Sequence, residues 1–131
     1  MSIQNYYFLI AGITALMFGI GHAVWGQRYI LGDVRTSEIP AFTKHMLLVI
    51  WHQPTVFHLF SAAALIVASF SRNEAATYPL AMFTGLVSFG FFLNYVGTSL
   101  ARNREALKQI IPQAVMLMVY LGIIAVGIYR G

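Results

Sequence analysis

Apolar residues run along this chain in four long blocks, each about the length that crosses a bilayer. A spanning helix needs about 20 mostly apolar residues. The blocks fall at residues 6–26, 44–70, 79–101 and 112–129. They predict an all-α fold, a four-transmembrane-helix bundle forming a single membrane domain over residues 1–131. The second block can begin earlier, at Pro40, as an interfacial turn. Pro79 and Pro112 fit first turns, where a missing N–H costs nothing. Pro54 falls inside the second block and predicts a kink.

The polar residues inside the blocks are few and patterned. Small residues recur at steps of three and four in the first block: Gly12, Ala15, Gly19 and Gly26, with His22 as the one large exception. Gly90, Asn94, Gly97 and Ala101 make a similar stripe in the third, with Asn94 as the exception. Membrane helices pack through small residues and hydrogen bonds, so both stripes read as helix seams. At about 1.5 Å per residue, His22 lies about 6–8 Å inside one end of its helix. His52 and Asn94 lie about 10–12 Å and about 10 Å from the same side. Three helices thus place an imidazole or amide in one layer. Polar groups at that depth are costly without partners and are expected to face the bundle interior. His58 sits deeper, on another face of the second helix, and His45 lies near the headgroups.

Charge gives the direction. The four acids and nearly all the cations fall between the blocks. Arg28, Arg35 and Lys44 in the first connection and Arg102, Arg104 and Lys108 in the third face Arg72 and Arg130 on the other side. The positive-inside rule therefore predicts N-out/C-out. Tyr6, Tyr7, Tyr78 and Tyr129 fit an interfacial belt at one boundary, and Trp25 and Tyr29 at the other. Phe89, Phe91 and Phe92 face lipid or line a groove for a quinone or other hydrophobic ligand.

Composition removes whole classes of chemistry. The chain is 59% hydrophobic and 9% charged, against about 25% charged in soluble domains. Without cysteine there are no thiolate ligands, iron–sulfur clusters or cysteine nucleophiles. A net charge of +4, spread over eight cations, suits lipid headgroups rather than nucleic acid. No span holds a carboxylate, which argues against a small multidrug exporter and against a serine triad. The glycines follow helix faces and form no phosphate loop.

The histidine–amide layer supports several readings. As a packing lock, His22, His52 and Asn94 hydrogen-bond across helices. As a cofactor site, His22 and His52 would be axial ligands of haem b. The flanking glycines would then make room for the macrocycle, and Arg28, Lys44 or Arg102 would meet its propionates. A metal on His22 and His52 would need His58 to turn inward as a third ligand. A small transporter using histidine as proton carrier is a further reading.

"GIGHAVWGQRYI" and "IWHQPTVFHLFSAAALIV" together resemble a group of short, uncharacterised bacterial four-helix integral membrane proteins. In that group the first helix ends G-x-x-H-x-x-x-G-[EQ]-R-x-I and the second carries W-H-x-x-T. Gly19, His22, Gly26, Gln27, Arg28 and Ile30 fit the first pattern; Trp51, His52 and Thr55 fit the second. The resemblance covers about half the chain. It implies a multi-pass protein of the bacterial cytoplasmic membrane in which His22 and His52 form a paired signature. It carries no activity. The short connections and the lack of a complete catalytic set lead to the expectation of a non-catalytic homo-oligomer or accessory subunit of a membrane complex.

Overall fold

The structure is a computed structural model that describes residues 2–102 and 104–130, with side chains described outside 102–110. It is an all-α four-helix bundle. Helix α1 (Tyr6–Trp25) passes through one π-helical turn (Gly26–Ile30) into α2 (Leu31–Thr36); together they form one run of 31 residues. Helices α3 (Ala41–Phe70), α4 (Glu74–Arg102) and α5 (Arg104–Arg130) follow. Four of these runs are long and apolar enough to cross a membrane, which makes this a multi-pass membrane protein.

The first helix continues about ten residues past its expected end. The π turn absorbs an extra residue, and Leu31 beyond it is buried. Arg28 and Arg35 therefore stand on helix rather than in a loop. Pro79 and Pro112 lie inside α4 and α5, not in their first turns. Helix α4 starts earlier because Asn73 begins it: the Thr77 N–H donates to the Asn73 carbonyl at 3.0 Å. Glu74 then sits in the first turn, where its charge complements the helix dipole. Pro54 lies within α3, as expected.

Helix α1 packs chiefly on α3 and also meets α5; α5 packs on α4, and α3 touches α4 more sparsely. The core joins Phe8, Ala11 and Ala15 of α1 to Ala62, Leu65 and Ala68 of α3, with Ala81, Tyr120 and Ile124 from α4 and α5. Alanine is common here because dispersion, not water, holds membrane helices together, and small side chains let backbones approach. The core lies toward the end that carries the chain termini. There Asn5 caps α1 by accepting from the Phe8 N–H at 3.1 Å and donates to the Gly127 carbonyl at 2.8 Å. The Gln4 and Asn5 N–H groups donate to the Ser69 carbonyl at the end of α3.

Toward the opposite end the packing thins. Among the described residues, burial on α4 stops at Ser88 and on α5 begins at Tyr120. Tyr6 and Tyr129 are exposed at the terminal end, consistent with a belt, but Tyr78 turns in and meets Phe8 edge-on at 6.2 Å. The phenylalanine cluster divides: Phe91 meets Phe57 of α3 at 5.3 Å, while Phe89 stacks on Phe92 and is partly exposed.

Candidate functional site: an interlocked histidine seam

The two sequence signatures face each other across α1 and α3, and they mesh residue by residue. The His22 Nδ1 lies 2.9 Å from the Thr55 hydroxyl. The His22 ring stacks on the Trp51 indole, centroids 4.4 Å apart and planes 14° apart. One turn further on, Gly26 lies directly against that indole; any Cβ here would occupy the space of Trp51 Nε1. One turn before, Gly19 abuts Leu59, and a Cβ there would come within 3.0 Å of Leu59 Cδ2. Glycine, histidine, glycine therefore alternate because α3 presents leucine, a stacked indole with threonine, and the indole edge.

The π turn carries the next link. It turns Gln27 toward α3, where its side-chain nitrogen lies 3.3 Å from His52 Nε2. Arg35 of α2 donates from Nη2 to Gln27 Oε1 at 2.8 Å. A guanidinium only donates, so the atom it meets must be the amide oxygen, and the amide nitrogen must face His52. That nitrogen also only donates, so His52 Nε2 is an unprotonated acceptor and a neutral His52 holds its proton on Nδ1. Lys44 completes the cluster by donating from Nζ to the Arg35 carbonyl at 2.9 Å.

His58 is occupied differently. Its Nδ1 donates to the Pro54 carbonyl of its own helix at 2.6 Å. Phe18 and Phe57 meet its ring edge-on. Phe18 links it to Tyr120, which is fully buried with its hydroxyl near Ser61 and Ser88.

The expected layer is thus only partly assembled. His22 and His52 lie on one seam, but each engages the opposite helix separately. Asn94 is not part of it. It is exposed, on a face of α4 turned away from buried Ala81, Thr84 and Ser88. The metal set of His22, His52 and His58 does not form: among the described residues no three His, Asp or Glu side chains gather closely enough to hold an ion. The physical reason is that the three rings are directed at Thr55, Gln27 and the Pro54 carbonyl.

The seam where a haem would lie between His22 and His52 is closely packed at three of its glycines. Ile66 packs over Gly12, Leu59 over Gly19 and Trp51 over Gly26, while Gly21, next to His22, has no described atom against it. His52 Nε2 already faces Gln27. Of the propionate-side candidates, Arg28 is exposed on the π turn and Lys44 is bonded to Arg35; the Arg102 side chain lies outside the described residues.

Sequence reasoning missed the Trp51–His22 stack and the Arg35–Gln27–His52 chain. The spacing W-H-x-x-T held the signal: Trp51 and Thr55 are one turn apart and bracket a single partner ring. The chain matches no protein-family model, no curated protein and no solved structure.

Proposed function

We propose that this chain is a structural subunit of the membrane that works as an oligomer or inside a larger membrane complex, with α4 as its association face. One observation carries the reading. The outer face of α4 presents Gly90, Asn94, Gly97 and Ala101, all exposed, with no described residue packed against either glycine. An amide at that depth is costly unless another helix satisfies it, and flanking glycines allow that helix to come close. The histidine seam then serves as a lock that holds α1 and α3 as one rigid pair. Its imidazoles are committed to helix contacts, which disfavours a proton-carrying role for them. We also propose that the end of the bundle carrying the first and third connections faces the cytoplasm, on the six-to-two distribution of cations.

The chain has no cysteine, so single-cysteine variants give an unambiguous test. Gly97→Cys in native membranes is expected to yield disulfide-linked dimers or adducts with a partner. Val119→Cys, exposed on α5, is expected to remain monomeric. Equal cross-linking at both positions, or none at Gly97→Cys together with a monomeric mass in mild detergent, overturns the reading.

A further inference from the structure

We infer that the α2-facing end of α3 is a binding site for one anionic phospholipid. An open, shallow apolar groove runs along one face of α3 from His45 to Phe57, past Leu48, Val49, His52, Gln53 and Val56. Its surface is almost wholly apolar. Twelve residues of helix span about 18 Å, close to the ~15 Å of hydrocarbon in one leaflet. The groove therefore matches an acyl chain in length, depth and chemistry.

Its shallow end is cationic. Arg35 reaches the groove wall through Gln27, which bonds both the guanidinium and His52. Lys44 is fixed on the Arg35 carbonyl, beside His45. Both cations bond neutral groups, an amide oxygen and a carbonyl, so neither is neutralised by these contacts. Asp33 is two residues from Arg35 on the same short helix, a spacing that places side chains on opposite sides. Arg35 spends one nitrogen on Gln27 and keeps other N–H donors of its fork for the two oxygens of a phosphate. Lys44 borders the groove at its His45 end, and Arg35 reaches its wall from the side through Gln27 and His52. A phospholipid carries both matching parts in one molecule, and a net negative headgroup adds the attraction that a zwitterion lacks.

Native mass spectrometry of the intact chain tests the assignment, with phosphatidylglycerol or phosphatidylcholine added. One phosphatidylglycerol per chain is expected to be retained, about tenfold more readily than phosphatidylcholine. The double variant Arg35→Gln, Lys44→Gln should reduce that preference to near parity. Gln27→Ala should lower it several-fold by releasing Arg35 from the groove. Val49→Trp, which fills the groove, should lower retention of both lipids. Arg35 is exposed and Lys44 half-buried, and neither belongs to the buried core, so circular dichroism of their variants should match the unaltered chain. Equal retention of both lipids by the unaltered protein overturns the inference. So does an undiminished preference in the double variant, or displacement of the lipid by millimolar inorganic phosphate, which would mark a site for free phosphate.

Discussion

The indole of Trp51 lies flat on the imidazole of His22, and its Nε1 edge fills the space where a Cβ of Gly26 would stand. One side chain of α3 thus fixes two positions of α1 that are a helical turn apart. The closeness of the seam follows from that contact, since α1 cannot approach α3 here unless residue 26 lacks a side chain.

Gly26→Ala should consequently destabilise the fold by about 1–3 kcal/mol, the usual cost of overpacking. Gly32→Ala, where an added Cβ meets nothing, should be near neutral or slightly stabilising. Thermal unfolding in detergent separates the two. Combining Gly26→Ala with Trp51→Leu should recover part of the loss, because the indole is what the methyl displaces.

The His22–Thr55 contact should behave as one interhelical hydrogen bond. In a double-mutant cycle with His22→Ala and Thr55→Val, a coupling of about 0.6–2 kcal/mol is expected. Full additivity of the two variants would show that the 2.9 Å contact contributes nothing to stability.

Gln27 sets the tautomer of His52, and Gln27→Glu should reverse it. An ionised carboxylate accepts from both neighbours, so Arg35 would still donate to residue 27 while His52 would turn to donate from Nε2. Nitrogen NMR of labelled histidine should show the proton on Nδ1 of His52 in the unaltered chain and on Nε2 in the variant. The same tautomer in both would break the Arg35–Gln27–His52 assignment.

Asn5 makes two separable contacts. Asn5→Ser keeps a capping oxygen for α1 but loses the bond to the Gly127 carbonyl; Asn5→Ala loses both. The serine variant should fall between the unaltered chain and the alanine variant, with the cap itself contributing about 1 kcal/mol. Equal loss in both variants would assign the whole effect to the α5 tether.

The filled seam also predicts a spectrum. Protein purified from haem-replete cells should show no Soret band that depends on His22 or His52. A band abolished by His22→Ala or His52→Ala would mean that α1 and α3 part to admit a macrocycle, and the lock reading would fail.

By itself the sequence determined the membrane class, the four spans and the two stripes, because each rests on a local quantity. Length and apolarity decide whether a segment spans, and a period of 3.6 decides which residues share a face. The same period brought His22 into line with Gly19 and Gly26, and the spacing of Trp51 and Thr55 placed them on one side of α3. What periodicity lacks is the identity of the neighbour. It showed that Asn94 stands on a stripe with Gly90 and Gly97, but only the packing of α4 on α5 decided that this stripe looks outward. It put His22 and His52 at similar depth, but only the approach of α1 to α3, and the π turn that advances Gln27, decided that each ring meets a different partner. Helix rotation about its own axis is set by contacts between residues far apart in the chain, and no spacing along one helix records it.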